Sequence, residues 1–244
     1  IEALELVPPQ ILRLLIAKSK PNKAIDFDTG MGLVTLADEF ERLSARDFQQ
    51  ELAQDGLSRR QKVQIEDAAG AMKMAAVTSG IEVEATAVTF RHLALLAQTK
   101  NSDEAVWSSL QSSGAIQEVT SQMQDRLNRM RHWIQSSHFP EEMRINILSQ
   151  PNEKMLQELN EVERQILMEL VVTLNGCEWN SDGIGASIPQ SAKNLEQSPR
   201  SAFKVAYAAF MGVERGPRLA PILAEMNRDV ILALLDACVQ VLDE

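Results

Sequence analysis

The 244-residue chain holds only two cysteines, three histidines and one tyrosine, and aromatic residues make up 5% of it. Cys177 and Cys238 lie far apart, with no ligand-like spacing and no Cys/His cluster near either. A disulfide framework and a zinc site are therefore not expected. Both cysteines read as small buried hydrophobes in a reducing compartment. No apolar run approaches the ~20 residues that a membrane helix needs. The opening IEALELVPP has no basic n-region and no small-residue cleavage site, so it does not read as a signal peptide. It also has no initiator Met, which suggests a piece of a longer parent chain. P-loop, GxGxxG, HExxH and GxSxG motifs are all missing, and with them the commonest reaction centres. A basic excess is missing too. The net charge of -10 argues against affinity for nucleic acid spread over the whole surface.

What is present is the mix of a soluble globular protein, 45% hydrophobic and 24% charged, long enough for one large domain or two modest ones. Helical periodicity dominates. Pro8-Pro9 opens a first helix with Ile11, Leu12, Leu15 and Ile16 on one stripe, and Pro21 ends it. Leu33, Leu36, Ala37, Phe40 and Leu43 mark a second. Ser44, with Asp47 three residues on, reads as a variant capping box for a short third helix. A helical run starts at Ser58. GIEVEATAVT, 80–89, alternates like a short strand or a loop. Phe90–Gln98, a stretch from Ser102 to Gly114, and Gln117–Ser137 read as helices. So do one acidic helix over 153–174, one from Ser181, one from Ser198-Pro199 that Gly212 closes, and a last one capped by Asn227. The fold class is all-α. Boundaries fall at 1–57, 58–150 and 151–244.

Charge is uneven. Residues 121–150 carry four basic and three acidic side chains, whereas 151–180 carry two basic and six acidic. A local basic face can bind RNA even on an acidic protein. Asp26 and Asp28 form the best carboxylate pair, able to hold a metal or orient a base, but Lys18, Lys20 and Lys23 beside them make an ion-paired turn the simpler reading. His92 reads as a core or edge histidine. His132 and His138, beside arginines and Trp133, read as a solvated helix edge or an RNA contact.

Four stretches resemble the C-terminal part of class I lysyl-tRNA synthetases, in the right order and spacing. They are VPPQILRLLIAKSKPNKAIDFDTGMGLVTLADEFERL (7–43), FRHLALLAQ (90–98), RLNRMRHWIQSSHFPEEMR (126–144) and SPRSAFKVAYAAFMGVERGPRLAPILAEM (198–226). The first and last are specific; the middle two are weak alone. Ala24, where the family often has His, and Ala220-Pro221 after GPR depart from the pattern and suggest a divergent branch. The resemblance implies a helical stem-contact subdomain followed by an α-helix cage that holds the anticodon. It implies a parent lysine–tRNA ligase that uses ATP and Mg²⁺. The parent's catalytic domain, with HIGH and KMSKS signatures, would precede this region, so this chain alone should be inactive. The implied partner is lysine tRNA, through stem and anticodon, in the cytoplasm, with no membrane, DNA or metal.

RNA loops are read by stacking bases on aromatic or Arg planes and by hydrogen-bonding base edges, while Lys and Arg hold phosphates. The candidates for tRNA contact are Lys18, Lys20, Lys23, Arg126, Arg129, Arg131, Trp133, Trp179, Arg215 and Arg218. Each tryptophan is either a stacking platform or core. Phe203, Tyr207 and Phe210, at helical spacing, read as core. Arg215 and Arg218 either satisfy carbonyls at the break GVERGPRLAPILAEM or reach RNA. A detached helical module that binds protein is the alternative reading.

Overall fold

The computed structural model describes residues 2–20, 22–76 and 88–243. Helices and loops make up the described residues, with no strand among them. Residues 80–87 of the alternating stretch, and Pro21, lie outside the described residues. The chain divides into two compact units, Ile1–Pro140 and Glu141–Glu244. No helix among the described residues is long and apolar enough to cross a membrane.

The first unit holds eight helices among its described residues: α1 (Glu2–Leu6), α2 (Pro9–Lys18), α3 (Met31–Ser44), α4 (Phe48–Leu52), α5 (Arg59–Ala76), α6 (Phe90–Thr99), α7 (Asp103–Ser112) and α8 (Ser121–Gln135). Asp47 does not belong to a box headed by Ser44. α3 runs through Ser44, and Asp47 itself caps α4, accepting from the amides of Gln49 and Gln50 at 3.1 and 3.0 Å. A carboxylate at the cap offers a stronger acceptor than a serine hydroxyl three residues earlier. α8 begins four residues later than the periodicity suggests, because Thr120 caps it through the Met123 amide. Leu14, Leu43, Ala71 and Ala75 make one small core where α2, α3 and α5 meet.

The IDFD segment is a capping loop. Asp28 accepts from the amides of Gly30 and Gly32, both at 2.8 Å, and so satisfies donors at the start of α3. A Cβ on Gly32 would lie 2.5 Å from the Asp28 Cβ, so the motif's glycine is what lets the carboxylate sit there. Asp28→Ala is expected to cost about 1 kcal/mol in urea unfolding, the usual value of a lost cap, with Asp28→Asn recovering only part of it, because an amide offers one acceptor oxygen where the Gly30 and Gly32 amides use two. An unchanged stability would show that the cap contributes nothing.

The second unit follows a 3-10 turn at Glu141–Met143 with α9 (Glu153–Gln157), α10 (Glu161–Asn175), α11 (Ser181–Lys193), α12 (Pro199–Met211), α13 (Leu219–Ala224) and α14 (Arg228–Asp243). The single acidic helix expected over 153–174 is two. Asn160 and Glu163 form a complete capping box, each side chain accepting from the other's amide, and this starts a new helix in mid-run. α10, α11, α12 and α14 enclose a core of Ile166, Leu170, Ile184, Ile188, Phe210 and Leu235, each wholly buried. Cys238 is buried there, and burial pushes its thiol up to about 11. Pro221 falls in the first turn of α13, where a missing N–H removes no helical bond.

Candidate nucleic-acid interface

In the first unit most candidate cations are engaged by acids. The acidic edge of α3 draws in two of them, Lys18 and Arg126, together with Arg91, which lies outside the candidate set. Lys18 pairs with Glu39, Arg91 with Asp38 at 2.8 Å, and Arg126 with Glu41 at 3.2 Å. Arg126 is deeply placed, with a side chain 16% exposed, and Glu41 also accepts from the Phe90 amide at 2.6 Å. Burial pushes the Glu41 carboxyl above its ordinary range, opposed by the Phe90 N–H and by Arg126. The same burial lowers the Arg126 guanidinium. Arg129 bonds Asp125 at 2.7 Å and the Val7 carbonyl at 3.4 Å. Arg131 bonds Asp103 at 2.8 Å and the Ala97 carbonyl at 3.4 Å. Such engaged cations brace helices, and part of the charge each could offer a phosphate is already balanced by an acid.

Trp133 is wholly buried. Its ring meets Phe139 edge-on at 4.8 Å and Phe90 at 5.2 Å, and its indole N–H donates to the Thr29 carbonyl at 2.7 Å. No ring face is left for a base, so the structure gives Trp133 the core role of its two readings. It also ties the motif at 126–144 to the IDFD loop. Lys20 and Lys23 share one turn, closed by the Lys23 amide on the Lys20 carbonyl at 3.0 Å; both are exposed, with no ion pair among the described residues.

In the second unit the cations of the GVERGPR break stand free. Arg215 and Arg218 are exposed and neither side chain has an ion pair or hydrogen bond among the described residues. Satisfying carbonyls is therefore not their task. That task falls to Tyr207, whose hydroxyl lies 3.0 Å from the Gly216 carbonyl and 2.7 Å from the Pro217 carbonyl. A phenol is an O–H donor at neutral pH, and burial raises its pKa further. Gly212 takes the left-handed conformation (φ 64°) that ends α12 and turns the chain into the break.

Tyr207 and Phe203 are half-buried on α12, so the core reading holds in full only for Phe210. Arg200 and Lys204, outside the candidate set, are also exposed on α12. Between Ser198 and Arg218 there are four basic side chains and one acidic, in a protein of net charge -10. That local excess was visible to a simple charge count. Lys204 is partly committed, bonded to Glu163 at 2.7 Å. Trp179 is half-buried, donates to the Met226 carbonyl at 3.1 Å, and has the Arg228 guanidinium 6.0 Å from its ring centre. Arg228 in turn donates to the Asn175 carbonyl at 2.7 Å.

These placements leave Lys20, Lys23, Arg215, Arg218 and the partly exposed Trp179 ring as the accessible RNA-type groups of the candidate set. Comparison with known proteins agrees with the motifs. The chain is 31% identical over 234 residues to the lysine–tRNA ligase of Thermoplasma volcanium, a match covering 95% of this chain and 42% of that protein. It is 29% identical over 232 residues to the ligase of Picrophilus torridus, covering 95% and 42%. It is 28% identical over 238 residues to that of Thermococcus kodakarensis, covering 95% and 43%. The chain thus spans less than half the length of these relatives. The resemblance to class I lysyl-tRNA synthetases drawn from the four stretches is borne out. Residues 88–239 match the model of a family described as an anticodon binding domain, and the chain belongs to that family.

Proposed function

We propose that this chain binds lysine tRNA, contacting its stem and reading its anticodon, as the tRNA-binding region of a cytoplasmic lysine–tRNA ligase. The observation that carries the reading is the family match over 88–239, which takes in the exposed arginines of the GVERGPR break. The relatives' names supply the amino acid. The whole ligase would attach lysine to tRNA with ATP and Mg²⁺. Nothing in this chain's motifs provides for that step, so the isolated chain is expected to show no lysine-dependent exchange of pyrophosphate into ATP. The Lys20–Lys23 turn suits the stem, where phosphates need mobile point charges rather than stacking planes.

The test is binding of a lysine tRNA transcript against the same transcript with its anticodon replaced. Stacking alone is worth ~1–3 kcal/mol per base. Replacement should therefore weaken binding about tenfold or more, and affinity should fall with salt. Equal affinity for both transcripts would sink the anticodon reading. A second reading, a protein-binding module, is favoured by exposed Met168 and Val172, one turn apart on α10. Lys20→Glu with Lys23→Glu separates the two: RNA binding should collapse, whereas a protein contact through α10 should persist.

A further inference from the structure

The break between α12 and α13 is pinned in its backbone and loose in its side chains. Three features fasten it. The amide of Gly212 closes on the Ala208 carbonyl at 3.2 Å, and that of Val213 on the Tyr207 carbonyl at 3.5 Å. The Tyr207 hydroxyl spans the carbonyls of Gly216 and Pro217. Leu219, next after Arg218, is 1% exposed in the core. A Cβ on Gly216 would lie 3.3 Å from Tyr207 Cε1 and 3.4 Å from Met211 Sδ, so the glycine is what lets the loop lie flat on the ring. The two carbonyls held by the hydroxyl sit between Arg215 and Arg218 in sequence. Both guanidinium groups are exposed and without partners among the described residues.

This contrasts with Arg126, Arg129 and Arg131, each engaged by a carboxylate. A cation paired with an acid has part of its charge balanced and its orientation already set, so it attracts a phosphate less. An unengaged one on a fixed backbone loses only its own side-chain freedom. The guanidinium fork also matches phosphate oxygens two at a time. We propose that Tyr207 is a positioning residue that locks the Gly216–Pro217 backbone so that Arg215 and Arg218 together grip backbone phosphates of a single-stranded RNA loop. This rests on the tRNA-binding reading above and adds to it the residues that grip and the residue that holds them. Tyr207 itself touches no phosphate.

The experiment is a double-mutant cycle in the full chain with the lysine tRNA transcript, measured across a salt series. Arg215→Ala with Arg218→Ala should weaken binding and lower the slope of log affinity against log salt by about 0.7 per arginine. Tyr207→Phe should weaken binding about fivefold in the parent chain and have no effect once both arginines are gone. A role in the fold alone would instead give the same loss in both backgrounds, and that result overturns the proposal. Gly216→Ala attacks the same contact from the loop side and should reproduce the Tyr207→Phe pattern; it decides the matter if Tyr207→Phe unfolds. Binding that keeps its anticodon preference while the arginine pair changes neither affinity nor slope would overturn this inference and leave the tRNA reading intact. No binding of the parent chain to the transcript would overturn both.

Discussion

Trp133→Ala is expected to lower the stability of the first unit by about 3–5 kcal/mol, the range for removing a large aromatic side chain from a packed core. The side chain is wholly buried, so alanine leaves a cavity where the ring stood. Two aromatic contacts go with it, to Phe90 and Phe139, each pair worth about 0.5–1.5 kcal/mol beyond its area. The Thr29 carbonyl also loses its indole donor at 2.7 Å. That carbonyl belongs to the loop that caps α3, so damage at α8 should reach the IDFD segment. Trp133→Phe separates the contributions: it keeps most of the volume and loses the hydrogen bond, with an expected cost of about 1–3 kcal/mol for the unsatisfied carbonyl. Urea unfolding followed by far-UV circular dichroism measures both. A loss under about 1 kcal/mol for Trp133→Ala would mean that the ring is not the keystone of this unit. A selective loss of RNA affinity at full stability would restore the stacking role.

The second large effect is at the Arg126–Glu41 pair. Arg126→Met should destabilise by about 3 kcal/mol at neutral pH, because it strands a largely buried carboxylate. The Phe90 amide, 2.6 Å from Glu41, softens the loss without removing it. Glu41 already has its pKa raised by burial, with Asp38 adding to the rise and Arg126 opposing it. Removing Arg126 raises it further. A carboxyl whose folded pKa exceeds its unfolded value binds protons more tightly when folded. Its contribution is therefore fully present below the unfolded value and is lost as pH rises through the folded one. The deficit of Arg126→Met should thus shrink as pH falls from 7 towards the ordinary glutamate value of 4.5. Adding Glu41→Gln should recover much of the loss at neutral pH, since no buried charge is then left alone. A deficit that does not change with pH would show that packing of the Arg126 stem, not charge, holds the contact.

These two residues also mark where sequence reasoning loses its grip. Both lie in RLNRMRHW, a run of arginines beside a tryptophan that has the composition of an RNA-binding helix. Periodicity places Arg126 and Arg129 on one face of α8. It carries no information about what that face meets. Glu41 is 85 positions from Arg126, and Thr29 is 104 from Trp133. The reverse holds at the GVERGPR break. There two glycines and two prolines announce a break between helices, and the break is present, with α12 ending at Gly212 and α13 starting at Leu219. Only the partner of its carbonyls was hidden, a tyrosine one helical face away.

The all-α class, the order of the helices and the corner at Gly212–Arg218 follow from local rules: apolar spacing of 3.6 residues, caps, glycine and proline. Those rules act over a few neighbouring residues, so one sequence suffices to read them. The same holds for family membership, carried by motifs with fixed spacing. Which cations are spent on acids and which face solvent, and which tryptophan is core, depend on side chains dozens of residues apart meeting in space. An ion pair or a buried ring is a property of two distant segments at once, and only folding brings them together. That is why ten candidate RNA contacts in the sequence reduce to a lysine turn, one partly exposed tryptophan and two free arginines on a pinned loop.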